Sequence, residues 1–325
     1  MKSLISHLVN SKHIFLVTHV NPDGDALGAL LAMGLTLKSD GREVTMFNAS
    51  PIPAVYRFLP GIEQIEREVP SPFEPETVVV LDCGDLERVG ETAAKRIRRC
   101  PRVINIDHHV TNTGFGHHQL VDPVASSSTA IVYRLLMRMG LKIGHEVATS
   151  IYTGILTDTG SFRFANTNRE AFDICAEMIG CGVDPYTVAQ HVYGTYSLGR
   201  IKLLNMALDS IEVSPNGKLS LMTLTREMFA ETETHPEDVD GMINYAKRIE
   251  DVQVAAMIME NTNGHASPTR GGKRYHVSLR SEGSVDVARI AASFGGGGHF
   301  NAAGFGVDTS LSELKGQIYS IASNL

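Results

Sequence analysis

The sequence predicts an α/β protein: an N-terminal doubly wound, mostly parallel sheet followed by a smaller α/β domain. Three observations predict it. Short apolar runs alternate with helix-like segments through the first half. Three of those runs end directly in His or Asp, as strands feeding a ligand site do. Beyond about residue 210 the spacing changes to that of a separate, smaller unit. The expected divisions are 1–195, a connecting helix at 196–210, and 211–325.

The first strand is Ile14–Thr18, ending at His19, and the Ala- and Leu-rich Ala26–Leu37 after it is helical. Val44–Phe47 is a second strand. Thr77–Leu81 is β-branched or apolar throughout, as a strand covered on both faces must be. Val103–Ile106 is another strand. Helical patterns follow at Ser128–Met139, His145–Leu156, Glu170–Ile179 and Leu198–Ser210, the last read as the connection. In the second domain, Lys218–Leu224, Val252–Glu260 and Arg274–Arg280 are strands, with helices at Pro236–Arg248 and Val285–Phe294. Asn261–Lys273, with Gly, Asn, Ser and Pro, is an exposed loop.

Composition narrows the function. With 36 acidic against 29 basic residues the net charge is −7, and with 6% aromatics and no Trp the chain is no coat for long nucleic acid. An enzyme taking one short anionic substrate into a metal-filled pocket remains open. Cys83, Cys100, Cys175 and Cys181 form no C-x-x-C pair, so reduced thiols in a cytoplasm are expected. No apolar run approaches the roughly 18 residues of a membrane span. The N-terminus lacks the clean apolar core of a signal peptide.

Six segments carry chemistry. In T-H-V-N-P-D-G-D-A-L-G-A, His19, Asp23 and Asp25 stand between a strand and a helix, where an imidazole and two carboxylates converge on a divalent metal; helix capping is the plainer role for an Asp there. Asp82 ends an apolar strand in V-V-V-L-D-C-G-D, at the same sheet edge, while Asp85 caps the next helix. In I-N-I-D-H-H, past the strand end, one of His108 and His109 ligates metal and the other meets substrate. Asp107 holds an imidazole tautomer or ligates directly. Asp158, in G-I-L-T-D-T-G-S-F, ends a helix, where a carboxylate needs a compensating cation. The run F-G-G-G-G-H, with Gly296, Gly297, Gly298 and His299, admits a phosphate or base to the backbone; a flexible linker is the alternative. In R-Y-H-V-S-L-R-S, alternation puts His276, Ser278 and Arg280 on one strand face, and Arg280 suits bidentate phosphate binding.

The charges of Asp23, Asp25, Asp82 and Asp158 balance two divalent ions; without ions the crowded carboxylates would raise one another's pKa. Mixed oxygen and imidazole donors favour Mn²⁺ over Mg²⁺.

These motifs, in this order, resemble the DHH phosphoesterases with a Gly-rich DHH-associated domain, and within them the nanoRNases that also dephosphorylate 3′,5′-bisphosphate (pAp). The resemblance covers nearly the whole chain. It implies a metal-binding DHH domain at 1–195 and a substrate-binding domain at 211–325. It implies one ion held by His19, Asp23 and Asp82 and a second by Asp25, Asp82, His108 and Asp158, with Asp82 bridging. His109, beside Asp107, would orient substrate or assist proton transfer. Arg280, His299 and Gly296–Gly298 would grip phosphate or nucleotide. The implied reaction is in-line attack of a hydroxide on phosphorus, with short RNA, pAp or dinucleotides as substrates, no long nucleic acid and no membrane. A homodimer is compatible with the sequence. Alternatives are a linear or cyclic dinucleotide phosphodiesterase, an inorganic pyrophosphatase, which the G-G-G-G-H segment counts against, and a non-catalytic nucleotide-binding module.

Overall fold

A computed structural model describes residues 2–194, 196–239, 241–261, 273–283, 285–323 and 325, without the side chains of residues 2, 3 and 299. The chain divides into two compact units, Met1–Thr195 and Tyr196–Leu325.

The first unit runs α1 (Lys2–Asn10), β1 (His13–Thr18), α2 (Gly24–Ser39), β2 (Glu43–Phe47), β3 (Ile65–Glu66), β4 (Thr77–Leu81), α3 (Glu91–Ile97), β5 (Val103–Asp107), β6 (His118–Val121), α4 (Ser128–Arg138), α5 (His145–Asp158), α6 (Arg169–Gly180) and α7 (Pro185–Ala189). Its six strands are ordered β3-β2-β1-β4-β5-β6 and every pairing is parallel. The chain builds outward from β1 to β3, then returns to the other side of β1 with β4. The order therefore reverses between β1 and β4, the crevice where open α/β sheets bind ligands.

Alternation along the strands explains the two cores. Ile14, Leu16, Val79, Leu81, Ile104 and Ile106 face α2, α4 and α5. Phe15, Val17, Val78, Val80 and Val103 face the other way, onto Ala93, Ala94 and Ile97 of α3. Helix α2 is buried almost all round, hence its lack of a polar stripe. It lies against α5 closely enough that a Cβ on Gly28 would sit 2.7 Å from Ser150 O and 2.9 Å from Gly154 Cα. Glycine is required there by space, and the contact brings the helix carrying Asp25 beside the helix carrying Asp158.

The second unit comprises α8 (Leu198–Asp209), β7 (Glu212–Val213), β8 (Leu219–Leu224), α9 (Arg226–Thr232), α10 (Ile243–Lys247), β9 (Val254–Glu260), β10 (Tyr275–Ser281), α11 (Val287–Ser293), β11 (Gly297–His299), β12 (Ala302–Val307) and α12 (Leu311–Ala322). The sheet order is β11-β12-β10-β9-β8-β7, with β8–β9 parallel and the other pairs antiparallel. Leu203 and Ala207 of α8 pack into this unit's core with Met222, Met257 and Phe229. Among the described residues, no helix is long and apolar enough to cross a membrane.

The expected α/β architecture is present: a parallel sheet first, a mixed one second. The helix expected over Pro236–Arg248 is instead a 3₁₀ turn at Pro236–Val239 and the short α10. Gly241, at φ +79°, lies between them, outside the right-handed helical region. Strands β3, β6, β7, β11 and β12 and helices α1, α3, α7, α9 and α12 were not expected. Of the loop expected at Asn261–Lys273, residues 262–272 lie outside the described residues.

Candidate metal centre

The parallel sheet delivers its polar termini to one edge. His19 follows β1, Asp82 follows β4, and Asp107 ends β5 with His108 and His109 after it. Asp23 and Asp25 lie at the start of α2, and Asp158 closes α5.

Asp82 sits at the middle. Its backbone is left-handed (φ +52°), a conformation Asp and Asn tolerate better than most residues. One oxygen lies 3.5 Å from His19 Nε2. The other accepts from Ser128 Oγ at 2.8 Å and lies 3.7 Å from His109 Nδ1 and 3.9 Å from His108 Nε2. Burial opposes its charge, but the bond to His19 and the three imidazoles hold the carboxyl far below its ordinary pKa.

Asp23 serves two roles that the sequence presented as alternatives. Its Oδ1 caps α2, accepting from Asp25 N at 3.1 Å and Ala26 N at 3.0 Å, and with His19 and Asp82 it also forms a group whose donor atoms all lie within 4.8 Å of one another. Asp85, by contrast, only caps the 3₁₀ turn Leu86–Val89, as expected. Asp25 is held by the start of α4: Ser128 N reaches Oδ2 at 2.7 Å and Thr129 N reaches Oδ1 at 2.8 Å. Burial, with Asp82, Asp158 and Asp23 nearby, still raises its pKa well above the ordinary value.

The adjacent histidines diverge. His108 Nε2 is 3.6 Å from Asp158 Oδ2 and 3.9 Å from Asp25 Oδ2. These three residues form a second group with donors within 4.8 Å. His109 instead bonds through Nδ1 to Asp107 Oδ1 at 2.6 Å. Asn112 Nδ2 in turn donates to the other Asp107 oxygen at 2.6 Å. The His109–Asp107 bond fixes the ring and leaves chemistry to Nε2. Burial works against the imidazolium, yet Asp107 and Asp82 push the pKa up to about 9. Among the described residues Asp107 belongs to none of the potential ligand groups, and its contact is with the His109 ring. His109 also falls into a group with Asp82 and His108. Asp158 is pushed up to about 7 by burial and by Asp23 and Asp82, against the pull of His108.

The donors fit divalent ions. Carboxylates and imidazoles converge from five elements, β1, α2, β4, β5 and α5, and burial together with neighbouring carboxylates disfavours the charge on two of them, Asp25 and Asp158.

In the second unit, β10 alternates as expected: Tyr275, Val277 and Leu279 are buried and His276, Ser278 and Arg280 half-buried. Backbone register sets Arg280 opposite Ala302, and Ala302 opposite His299; Ser278 pairs Gly304, which pairs Gly297. The His299 side chain is outside the described residues. The last two glycines of the run, Gly297 and Gly298, lie with His299 in strand β11. A Cβ on Gly296 would strike Gly304 O at 2.2 Å and one on Gly298 would strike Ala302 O at 2.5 Å, so strand packing requires both. Gly297 faces open space within 4 Å.

Two family models match the chain: the N-terminal domain of the DHH family at residues 13–155 and the DHHA1 domain at 220–323. A protein of Thermus thermophilus named bifunctional oligoribonuclease and PAP phosphatase NrnA is 34% identical, the match covering 90% of this chain and 83% of that one. The chain belongs to the DHH family of phosphoesterases. A Bacillus subtilis DHH relative with the same name is 26% identical over 90% of this chain and 88% of its own. An exopolyphosphatase-related protein from Bacteroides fragilis has a solved structure that superposes with a TM-score of 0.90 at 29% identity, covering 99% of this chain and 95% of that one. As a DHH phosphoesterase the chain is a hydrolase, and its acidic and imidazole groups suit the metal dependence of that family.

Sequence reasoning named no role for Ser128, Thr129, Asn112 or Asn166. The S-S-S-T run ahead of a helix signals a cap, and Ser127 is that cap, bonding Ala130 N at 3.0 Å. Nothing local marks its neighbours as partners of Asp25 and Asp82, more than forty residues away in sequence.

Proposed function

We propose that this chain hydrolyses very short oligoribonucleotides to mononucleotides and removes the 3′-phosphate of pAp to leave AMP, using two divalent ions, Mn²⁺ by preference, in a cytoplasm. The observation that carries the proposal is the Asp82-centred meeting of two ligand groups at the sheet switch point. The relatives named as bifunctional oligoribonuclease and PAP phosphatase support the substrate class.

His19, Asp23 and Asp82 hold one ion, and Asp25, His108 and Asp158 the other with Asp82 between them. Bound divalent ions supply charge stabilisation at the phosphoryl oxygens and a nucleophile at neutral pH. His109, fixed by Asp107, presents Nε2 to move a proton or contact phosphate. Residues 1–195 act as the metal-binding domain and 211–325 as the substrate-binding domain, with 196–210 as the connecting helix. Arg280 and His299 bind phosphate, and Gly296–Gly298 form the backbone floor of that site, with Gly297 open to approach. A binding platform for substrate ends suits a chain too acidic to hold long RNA.

The test is a set of initial rates on pAp, RNA dimers and trimers, long RNA, linear and cyclic dinucleotides and pyrophosphate, with Mn²⁺, Mg²⁺ or chelator. Turnover of pAp and short RNA with Mn²⁺, lost in chelator, is expected. No turnover of either, or preference for pyrophosphate or cyclic dinucleotide, ends the proposal.

A further inference from the structure

Asn166 stands in the loop between α5 and α6, outside every segment that the sequence marked for chemistry. Its amide nitrogen lies 2.8 Å from Ser126 O, 3.1 Å from Asp158 O and 3.1 Å from Asp158 Oδ2. All three neighbours accept, so the orientation of the amide is dictated: only its NH₂ end can face them. The other end pays for this, because Asn166 Oδ1 is buried with no hydrogen-bond partner among the described residues. A leucine has the same branched side-chain skeleton, though larger methyl ends, and would strand no carbonyl, so the branched shape alone does not call for an amide here.

What the amide joins is informative. Ser126 lies directly before Ser127, Ser128 and Thr129, the segment that caps α4, grips both Asp25 oxygens and bonds Asp82. Asp158 comes from a different helix. Hydrogen bonds from one side chain thus tie the Asp158 carboxylate to the segment that sets Asp25 and Asp82. One of them reaches Oδ2, the Asp158 oxygen that faces His108 Nε2 at 3.6 Å. Asp158 keeps 23% of its side chain exposed, and Asp25 keeps 1%, so Asp158 has more room to swing away.

We infer that Asn166 is a positioning residue for the Asp25–His108–Asp158 ion subsite: its amide holds Asp158 at ligating distance from the other two, and the His19–Asp23–Asp82 subsite does not depend on it. The inference rests on the two-ion reading above. Ordering a ligand before the ion arrives lowers the cost of binding, and loss of such an outer partner costs about 10–100-fold in metal affinity.

The test uses the full chain, stripped with chelator and titrated with Mn²⁺ by calorimetry, with the spin-coupled Mn²⁺ pair followed by electron paramagnetic resonance. Asn166→Leu keeps the branched side-chain skeleton and removes the donor; Asn166→Gln keeps an amide. The expected result is that Asn166→Leu binds one ion as the unmodified protein does, binds the second about 10–100-fold more weakly and loses the coupled signal at ion levels that saturate the unmodified protein. Asn166→Gln recovers part of both. Binding of two ions by Asn166→Leu at unchanged affinity overturns the inference. So does equal weakening of both ions in a variant with an unchanged circular dichroism spectrum, or an Asn166→Gln no better than Asn166→Leu. If the leucine variant does not fold, Asn166→Ala is judged by the same outcomes. Uptake of a single ion by the unmodified protein defeats the two-ion reading itself, and shows before any variant is made.

Discussion

Replacing Asp158 by Asn should stabilise the metal-free protein while crippling the metal-loaded one. Without ions, burial first and then the charges of Asp23 and Asp82 raise the pKa of Asp158 from 3.8 to about 7. Three pKa units correspond to roughly 4 kcal/mol of disfavoured ionisation. The carboxylate keeps 23% exposure, and solvent at that edge screens the charge, so about 2 kcal/mol is the figure to expect. Asn removes the charge and leaves an oxygen for the Asn166 amide. The sign with pH is that of a raised acid pKa. The folded state binds more protons than the unfolded between 3.8 and about 7, so unmodified-protein stability falls as pH climbs through that window and is level above it. The variant escapes this loss. Thermal unfolding in chelator at pH 8 should show the first unit's transition about 4–8 °C higher in Asp158→Asn, the gain shrinking towards zero near pH 4. In excess Mn²⁺ the order should reverse, because the variant lacks an ion ligand. A variant less stable than the parent in chelator at pH 8, or a gain equal at both pH values, would refute the argument that burial and neighbouring carboxylates disfavour the Asp158 charge.

The same geometry sets further expectations. Asp82→Asn should lower kcat/KM by about a thousandfold or more, since Asp82 adjoins both ligand groups; Asn tolerates φ +52°, so an unchanged circular dichroism spectrum should accompany the loss. Ion binding should release protons, because Asp25 and Asp158 hold them with raised pKa values: apparent Mn²⁺ affinity should fall as pH drops below about 7, and calorimetry in two buffers of different ionisation enthalpy should differ. Identical heats in the two buffers would contradict this. Gly28→Ala should cost about 1–3 kcal/mol in denaturant unfolding, since its Cβ would meet Ser150 O at 2.7 Å. It should also weaken Mn²⁺ binding by pushing apart the helices that carry Asp25 and Asp158; unchanged stability would mean that the α2–α5 contact yields.

Much of the site was legible because its motifs are local. A run such as T-V-V-V-L followed by Asp, or V-I-N-I followed by D-H-H, announces both a strand and the residue that stands at its end. His19, Asp82 and His108 were therefore readable as edge residues, and the order of the motifs matched a family. The short strands β3, β7 and β11 were not readable, since two or three residues carry no period. The glycine run was ambiguous for a different reason. Close approach to β12 requires glycine at 296, just before β11, and at 298 within it, while 297 is open, and the four letters look alike in sequence.

The sequence by itself determined the donor types, their strand-end and helix-end positions, and a charge inventory suited to divalent ions. Tertiary structure alone decided that Ser128 and Thr129 grip Asp25 from 103 and 104 residues away, that His109 turns to Asp107 while His108 turns to Asp158, and that Asn166 clamps Asp158. The reason is physical. Residue type and periodicity act over a few neighbours, whereas the distances between ligands depend on how helices pack against a sheet, set by contacts between segments remote in the chain.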